Sequence, residues 1–273
     1  MKTKPRWYRK FELDVSREKV AAVIANCITD TSKYTVTTLA GPYTPPDSDG
    51  LVGQKLVFRG EGHVCSFEFK DLHAMRFSED GGEEKECYSV VKTMDDEVYF
   101  VNQLIPGYEL TRQITLIADM KSGSATVCDA RIGTEHSNID VQREFIFGKL
   151  DGDFAGGPLH GFTDGLVGKA INWDYGNVII KHIYSSNLYY TYSHDSEKYG
   201  AWMATNPADY VKIRDNMYIF SFIEERQHGL QGLFLINTDT VHDVGCFYGV
   251  NDDHMVSGCF GAKGEYADIL TVF

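Results

Sequence analysis

Long apolar runs are missing from this chain of 273 residues. None approaches the roughly 18 residues that cross a bilayer as a helix, so no membrane partner is expected. The basic stretch at residues 1–10 is followed by FELDVSREK, not by the apolar core of about 7–15 residues that a secretory signal needs, and a cytoplasmic location is the expectation. Positive charge is also short, with 26 Lys and Arg against 39 Asp and Glu and a formal net charge of -13. That balance argues against a nucleic-acid groove and leaves a small organic molecule as the expected partner. The six cysteines (Cys27, Cys65, Cys87, Cys128, Cys246, Cys259) form no CxxC pair, which excludes zinc-ribbon and thioredoxin-type readings and leaves them as reduced, buried small apolar residues. Phosphate-binding and hydrolase signatures are missing too: there is no GxGxxG opening a helix, no GxxxxGKS or GxxxxGKT, and no GxSxG. With no HxH or HExxH spacing either, neither a metal nor an organic cofactor is expected, although His182, His242 and Glu224 would suffice as a three-ligand set.

What the chain does carry is aromatic and β-forming. It has 16 Tyr and 16 Phe, and ten of the tyrosines fall in the last 102 residues; an apolar ring with a polar tip suits the wall of a cavity. One early helix is readable from Val20, Val23, Ile24, Cys27 and Ile28, with Asp14 or Ser16 as its cap. From Tyr34 onward, short runs of Val, Thr, Ile, Phe and Tyr alternate with turn signals such as Gly41-Pro42, Asp49-Gly50 and Pro106-Gly107, the texture of antiparallel β-structure. Strands are expected over 62–69, 98–104, 110–118, 178–184, 218–226, 232–237 and 241–250.

Two halves can be superposed. Asp96-Glu97-Val98-Tyr99 resembles Asp215-Asn216-Met217-Tyr218 at an offset of 119 residues, and each opens an apolar strand. A unit of that length is too long for a solenoid repeat and fits a small closed barrel; tandem β-sandwiches are the competing architecture. The fold class expected is mainly β, two tandem antiparallel lipocalin-like barrels with a short N-terminal helix. Between Gly148 and Gly168 seven of twenty-one residues are glycine. The domains are therefore drawn as 1–147 (a barrel with its leading helix), 148–168 (a connection or a lid) and 169–273 (a second barrel carrying the pocket).

The runs Trp173-Asp174-Tyr175, Lys181-His182-Ile183-Tyr184-Ser185-Ser186, Asp215-Asn216-Met217-Tyr218, Ser221-Phe222-Ile223-Glu224 and Val241-His242-Asp243-Val244-Gly245 resemble the C-terminal domain of the molybdenum cofactor biosynthesis protein F (MoaF) family. The first half is similar to that family's N-terminal domain. The resemblance implies tandem calycin barrels, and related barrels include cofactor-free enzymes such as phenolic acid decarboxylases and pericyclases. Phe222 stands where the family pattern has Trp before the Ile-Glu pair, which bears on the shape of the pocket.

Candidate chemistry centres on the strand from Tyr218. If its Tyr218–Phe220–Phe222 face looks inward, Glu224 and Arg226 follow in register; the other phase would turn Glu225 inward. A carboxylate among aromatic walls is the leading acid–base candidate. His182, in phase with Tyr184, and His242 are further catalytic candidates. Tyr184, Tyr190, Trp202, Tyr218, Phe220, Phe222 and Arg226 are candidate substrate walls. Two functions follow as expectations: a cofactor-independent lyase, isomerase or cyclase, with pericyclase and dehydratase among the options, or a non-catalytic small-molecule carrier. A homodimer is a possible assembly.

Overall fold

The computed structural model describes residues 17–29, 34–36, 41–106, 112–132, 141–196, 200–224, 229–251 and 254–268. Helix α1 (Arg17–Thr29) and a short strand β1 (Tyr34–Val36) come first. Strands β2 (Lys55–Gly60), β3 (His63–Phe69), β4 (Ala74–Glu79), β5 (Lys85–Thr93), β6 (Val98–Leu104), β7 (Arg112–Asp119), β8 (Ser124–Arg131) and β9 (Gln142–Leu150) then form a closed antiparallel barrel. Strand β10 (Gly161–Phe162) lies on the outside of a second barrel, pairing with β14. That barrel comprises β11 (Ala170–Asp174), β12 (Ile179–Ile183), β13 (Tyr189–Ser196), β14 (Gly200–Arg214), β15 (Met217–Ile223), β16 (Leu230–Asn237), β17 (His242–Asn251) and β18 (His254–Tyr266), and it closes where β11 pairs with β18. Closure of both sheets excludes the sandwich alternative.

The repeat is physical. Strands β6 and β15 are each the fifth of their barrel, and residue by residue they share one burial pattern, with only the second and last positions less than buried. Both are buried on two faces because one face fills a barrel and the other meets the neighbouring barrel. Val98, Phe100 and Ile117 pack there against Met217, Ile219, Leu233 and Leu235. Strands β7 and β16 are accordingly buried almost from end to end, as strands covered on both sides must be.

The first barrel closes through a narrow contact, with only Phe58 opposite Leu150 and Arg59 opposite Lys149. A Cβ on Gly148 would stand 2.1 Å from the Arg59 carbonyl oxygen, and one on Gly60 would stand 2.2 Å from that of Phe147. Glycine is what lets these two backbones meet. Gly148 therefore belongs to β9, and the glycine-rich connection starts at Asp151.

Helix α1 does not stand over the first barrel alone. Val23 and Ile24 are buried in a cluster with Tyr248, Val250 and Met255 of the second barrel and Ala130, Ile132 and Val141 of the first. The capping candidates Asp14 and Ser16 lie outside the described residues. Strand β1 runs parallel to β18, with Tyr34 opposite Met255. The chain thus visits the second barrel before building the first.

Candidate functional site

The two interiors differ. That of the first barrel is filled by an apolar cluster running from Leu56 and Phe58 through Phe67, Phe77, Val101 and Leu116 to Ile146. Inside the second, aromatic residues gather at the end where β14 meets β15, and a cavity of ≈ 540 Å³ opens at the other. A volume of that order holds a small organic ligand.

Strand alternation sets the lining. On β12 and β13 the inward residues are Ile180, His182, Tyr190, Tyr192 and His194, and on β15 the same alternation brings Phe222 inward and leads to Glu224 just past the strand end. Phe234, Phe247 and Phe260 complete an aromatic wall. The rings pack edge to face and tilted: Tyr190 lies 4.8 Å from Phe222, and Phe247 lies 4.9 Å from Phe260, centroid to centroid. Such spacing is favourable for aromatic pairs and fixes the wall.

The mouth is bordered by two segments that the sequence marks only as turns. One is the β11–β12 turn, from Tyr175 to Val178, and the other is residues 41–48, of which Gly41, Pro42 and Thr44 line the cavity. The Thr44 hydroxyl accepts a hydrogen bond from Gly261 N–H at 3.2 Å, tying this strap to β18. Its far end is anchored on the first barrel, where the buried Lys92 ammonium donates to the Pro45 carbonyl at 2.7 Å and pairs with Asp47 at 2.6 Å.

Of the candidates drawn from the sequence, Glu224, His182, Tyr190 and Phe222 line one cavity. Glu224 is 7 % exposed, and its backbone N–H donates to Leu230. Tyr184 and Phe220 are fully buried beneath the cavity, against the His182 ring. The Tyr184 hydroxyl accepts a hydrogen bond from the Trp173 indole at 3.2 Å. Tyr218 sits lower still and packs over Gly165 of the connection. His242 stands apart: it begins β17, is partly exposed and does not line the cavity, because its strand turns the next residue inward instead. Arg226 and Glu225 lie outside the described residues, as does the side chain of Trp202, whose backbone pairs with His194.

Two buried groups set the electrostatics. His182 is 5 % exposed, its Nδ1 has no hydrogen-bond partner, and burial pushes its pKa down to about 3. The imidazole is therefore neutral near pH 7. Asp243, the inward neighbour of His242, was not singled out from sequence. It accepts hydrogen bonds from Ala262 N–H at 2.7 Å and from the cavity-lining Tyr175 hydroxyl at 3.3 Å. Burial pushes its carboxyl up to about 8. The alternation that placed it opposite His242 was the available signal. Burial also raises Tyr175, Tyr184 and Tyr190 well above the usual phenol range, so all three hydroxyls stay protonated. None of the described residues lining the cavity is Lys or Arg.

Comparison with family models agrees with this architecture: residues 35–134 match the MoaF N-terminal domain and residues 160–270 the MoaF C-terminal domain. The chain belongs to the MoaF family. No curated protein matches it. The MoaF C-terminal domain match covers every strand of the hollow barrel, while the strap at its mouth comes from the stretch matched by the MoaF N-terminal domain. Among the described residues no helix is long and apolar enough to cross a membrane.

Proposed function

We propose that this MoaF protein is a cofactor-independent enzyme of the lyase, isomerase or cyclase kind that acts on a conjugated or aromatic small molecule inside the second barrel. The observation that carries the reading is the aromatic-walled cavity of ≈ 540 Å³ with a buried carboxylate, Glu224, and a buried imidazole, His182, on its surface. Holding a flat substrate between Tyr190, Phe222, Phe234 and Phe247 fixes its reactive conformation. Glu224 is the group that gives or takes a proton, and neutral His182 with the protonated tyrosines polarises the substrate through hydrogen bonds. Decarboxylation, dehydration, isomerisation and ring closure all use these means.

A neutral His182 also favours the second reading, a carrier that binds without turnover, because it leaves Glu224 without a titrating histidine as proton partner. Binding is tested with the neutral dye N-phenyl-1-naphthylamine, whose emission rises in an apolar cavity. Leu230→Trp fills the cavity and should abolish that rise; unchanged emission refutes the location. Once a substrate is found, Glu224→Gln separates the readings. An enzyme loses about 10²–10⁴ in turnover at its acid–base residue, and a carrier keeps its affinity within a few-fold.

A further inference from the structure

We infer that Asp243 is a positioning residue for the mouth of the second-barrel cavity. Acting through the Tyr175 hydroxyl, it holds the β11–β12 turn beside the strap and so sets how fast a ligand enters and leaves. This role rests on the cavity being the ligand site, and it adds how access to that site is controlled.

Both borders of the mouth are held by consecutive residues of β18. Gly261 N–H donates to the Thr44 hydroxyl of the strap at 3.2 Å. Ala262 N–H donates to Asp243 Oδ1 at 2.7 Å, and Asp243 Oδ2 accepts from the Tyr175 hydroxyl at 3.3 Å. The turn that carries Tyr175 is closed on itself, with Tyr175 N–H donating to the Val178 carbonyl at 3.0 Å. It also touches the strap: a Cβ on Gly176 would stand 2.4 Å from Pro42 Cδ, and one on Gly41 would stand 3.2 Å from the Tyr175 carbonyl oxygen. Across the same seam the Tyr43 hydroxyl donates to Asp174 at 3.4 Å. These contacts join the turn to the strap. The bond to Asp243 is of another kind, since it ties the turn to the barrel itself, at β17.

The surroundings of Asp243 give the carboxyl no other use. It is 1 % exposed, and its cross-strand neighbours, Ile236 and Ala262, are buried as well. Taking a carboxyl out of water is costly unless hydrogen bonds compensate, and an apolar residue would fill the position without that cost. What the carboxyl adds is the link from Ala262 to Tyr175. Tyr175 in turn lines the cavity and packs on Phe260, another lining residue, with ring centroids 5.5 Å apart. Turn and strap meet at one side of the mouth, so outward movement of the turn widens it, and the bond to Asp243 opposes that movement.

The test is stopped-flow association and dissociation of N-phenyl-1-naphthylamine with the full chain near neutral pH. Tyr175→Phe keeps the ring on Phe260 and removes the bond; Asp243→Leu removes it from the other side. Each should raise the association and dissociation rates together by about three- to tenfold, which is what one hydrogen bond of this kind contributes. The double variant should exceed the larger single effect by no more than about twofold, because both changes remove one interaction. Asp243→Asn, which still bridges Ala262 and Tyr175, should bring both rates back to within about twofold of wild type. Unchanged rates in Tyr175→Phe overturn the inference. So does faster dissociation with unchanged association, which would make the hydroxyl a wall contact for the dye and not a hold on the mouth. If Asp243→Leu fails to fold, Tyr175→Phe and Asp243→Asn decide between these outcomes. Dye binding with rates that ignore the substitutions refutes the positioning role alone, whereas a wild type that does not bind the dye refutes the cavity reading and this role with it.

Discussion

Replacing Asp243 by Asn should make the protein's stability less sensitive to alkaline pH. The carboxyl is 1 % exposed and its pKa is pushed up to about 8 by burial, against roughly 3.9 in an unfolded chain. Between those values the folded state holds a proton that the unfolded state has released. Stability contributed by this group is therefore full at low pH and falls as pH rises, by up to about 1.4 kcal/mol per pH unit, levelling off above about pH 8. His182 works in the opposite direction. Its folded pKa is about 3, so from there to roughly 6.5 the unfolded chain binds the extra proton and stability rises with pH. His160, pushed down to about 4 by burial, adds to that rise. With two rises set against one fall, these three groups together should make wild-type stability climb by up to about 1.4 kcal/mol per pH unit in mild acid and decline from about pH 6.5 to 8, where only the Asp243 slope survives.

Asn keeps an oxygen to accept from Ala262 N–H and offers an amide hydrogen to the Tyr175 oxygen, so packing is preserved and only the titration is removed. The stability difference, variant minus wild type, should grow by about 2–3 kcal/mol between about pH 5 and 7 and stop growing beyond about pH 8. Urea unfolding followed by circular dichroism across that range measures it directly. A difference that stays constant to within about 0.5 kcal/mol from pH 5 to 8 would show that the folded-state carboxyl is ionised like any surface aspartate, and would refute the argument from burial.

Two further substitutions probe the scaffold. Arg112 is buried in the end of the first barrel between Glu79, at 2.6 Å, and Asp129, at 2.8 Å; Arg112→Ala removes the partner of both carboxylates and should cost about 3 kcal/mol in urea unfolding near neutral pH. Asp129 keeps its pair with Arg131, which holds the cost to the lower part of the usual range. Gly148→Ala drives a methyl group into the Arg59 carbonyl at the barrel seam, where backbone cannot swing aside, and should cost about 2–3 kcal/mol. Gly161→Ala, with no atom within 4 Å of the new methyl, is the control and should change unfolding by less than about 0.5 kcal/mol.

Period-two alternation made most of the hollow barrel readable in the sequence. It placed Ile180, His182 and Tyr184 on one face and Tyr218, Phe220, Phe222 and Glu224 on another, and both faces point inward. Alternation says which residues share a face and nothing about depth along the barrel. For that reason Tyr184, Phe220 and Tyr218 were grouped with the cavity walls although they fill the space beneath them. Alternation also sets His242 and Asp243 on opposite faces of one strand, and the interior takes Asp243. A carboxyl that can shed its charge by protonation is an acceptable tenant of an apolar interior, and no local pattern advertises that. The strap at 41–44 was out of reach for another reason: it is joined to the second barrel by contacts across more than 200 residues, such as Thr44 to Gly261, and turn signals carry no information about what a turn will cover.

The repeat explains why one barrel is full and the other hollow. Matching strand starts sets Arg112 of β7 against Leu230 of β16, and Asp129 of β8 against Phe247 of β17. Ile105, which follows β6, corresponds in the same way to Glu224, which follows β15. In the first barrel these positions plug one end: Arg112 binds Glu79 and Asp129 across the opening, and Ile105 is buried in the core beneath. In the second, the equivalent positions are Leu230, Phe247 and Glu224, all on the cavity surface. Exchanging an ion cluster for two apolar walls removes the cross-barrel tie, and exchanging an isoleucine for a glutamate puts a carboxyl group on the cavity surface. The same scaffold thus yields a packed support in one copy and a chamber in the other. The support reaches across with Lys92, which holds the strap over the chamber's mouth. On this reasoning Lys92→Met, which cannot bond to Pro45 or Asp47, should leave the first barrel folded and weaken N-phenyl-1-naphthylamine binding through a faster off-rate. An off-rate unchanged in stopped-flow displacement would mean that the strap borders the mouth without governing passage through it.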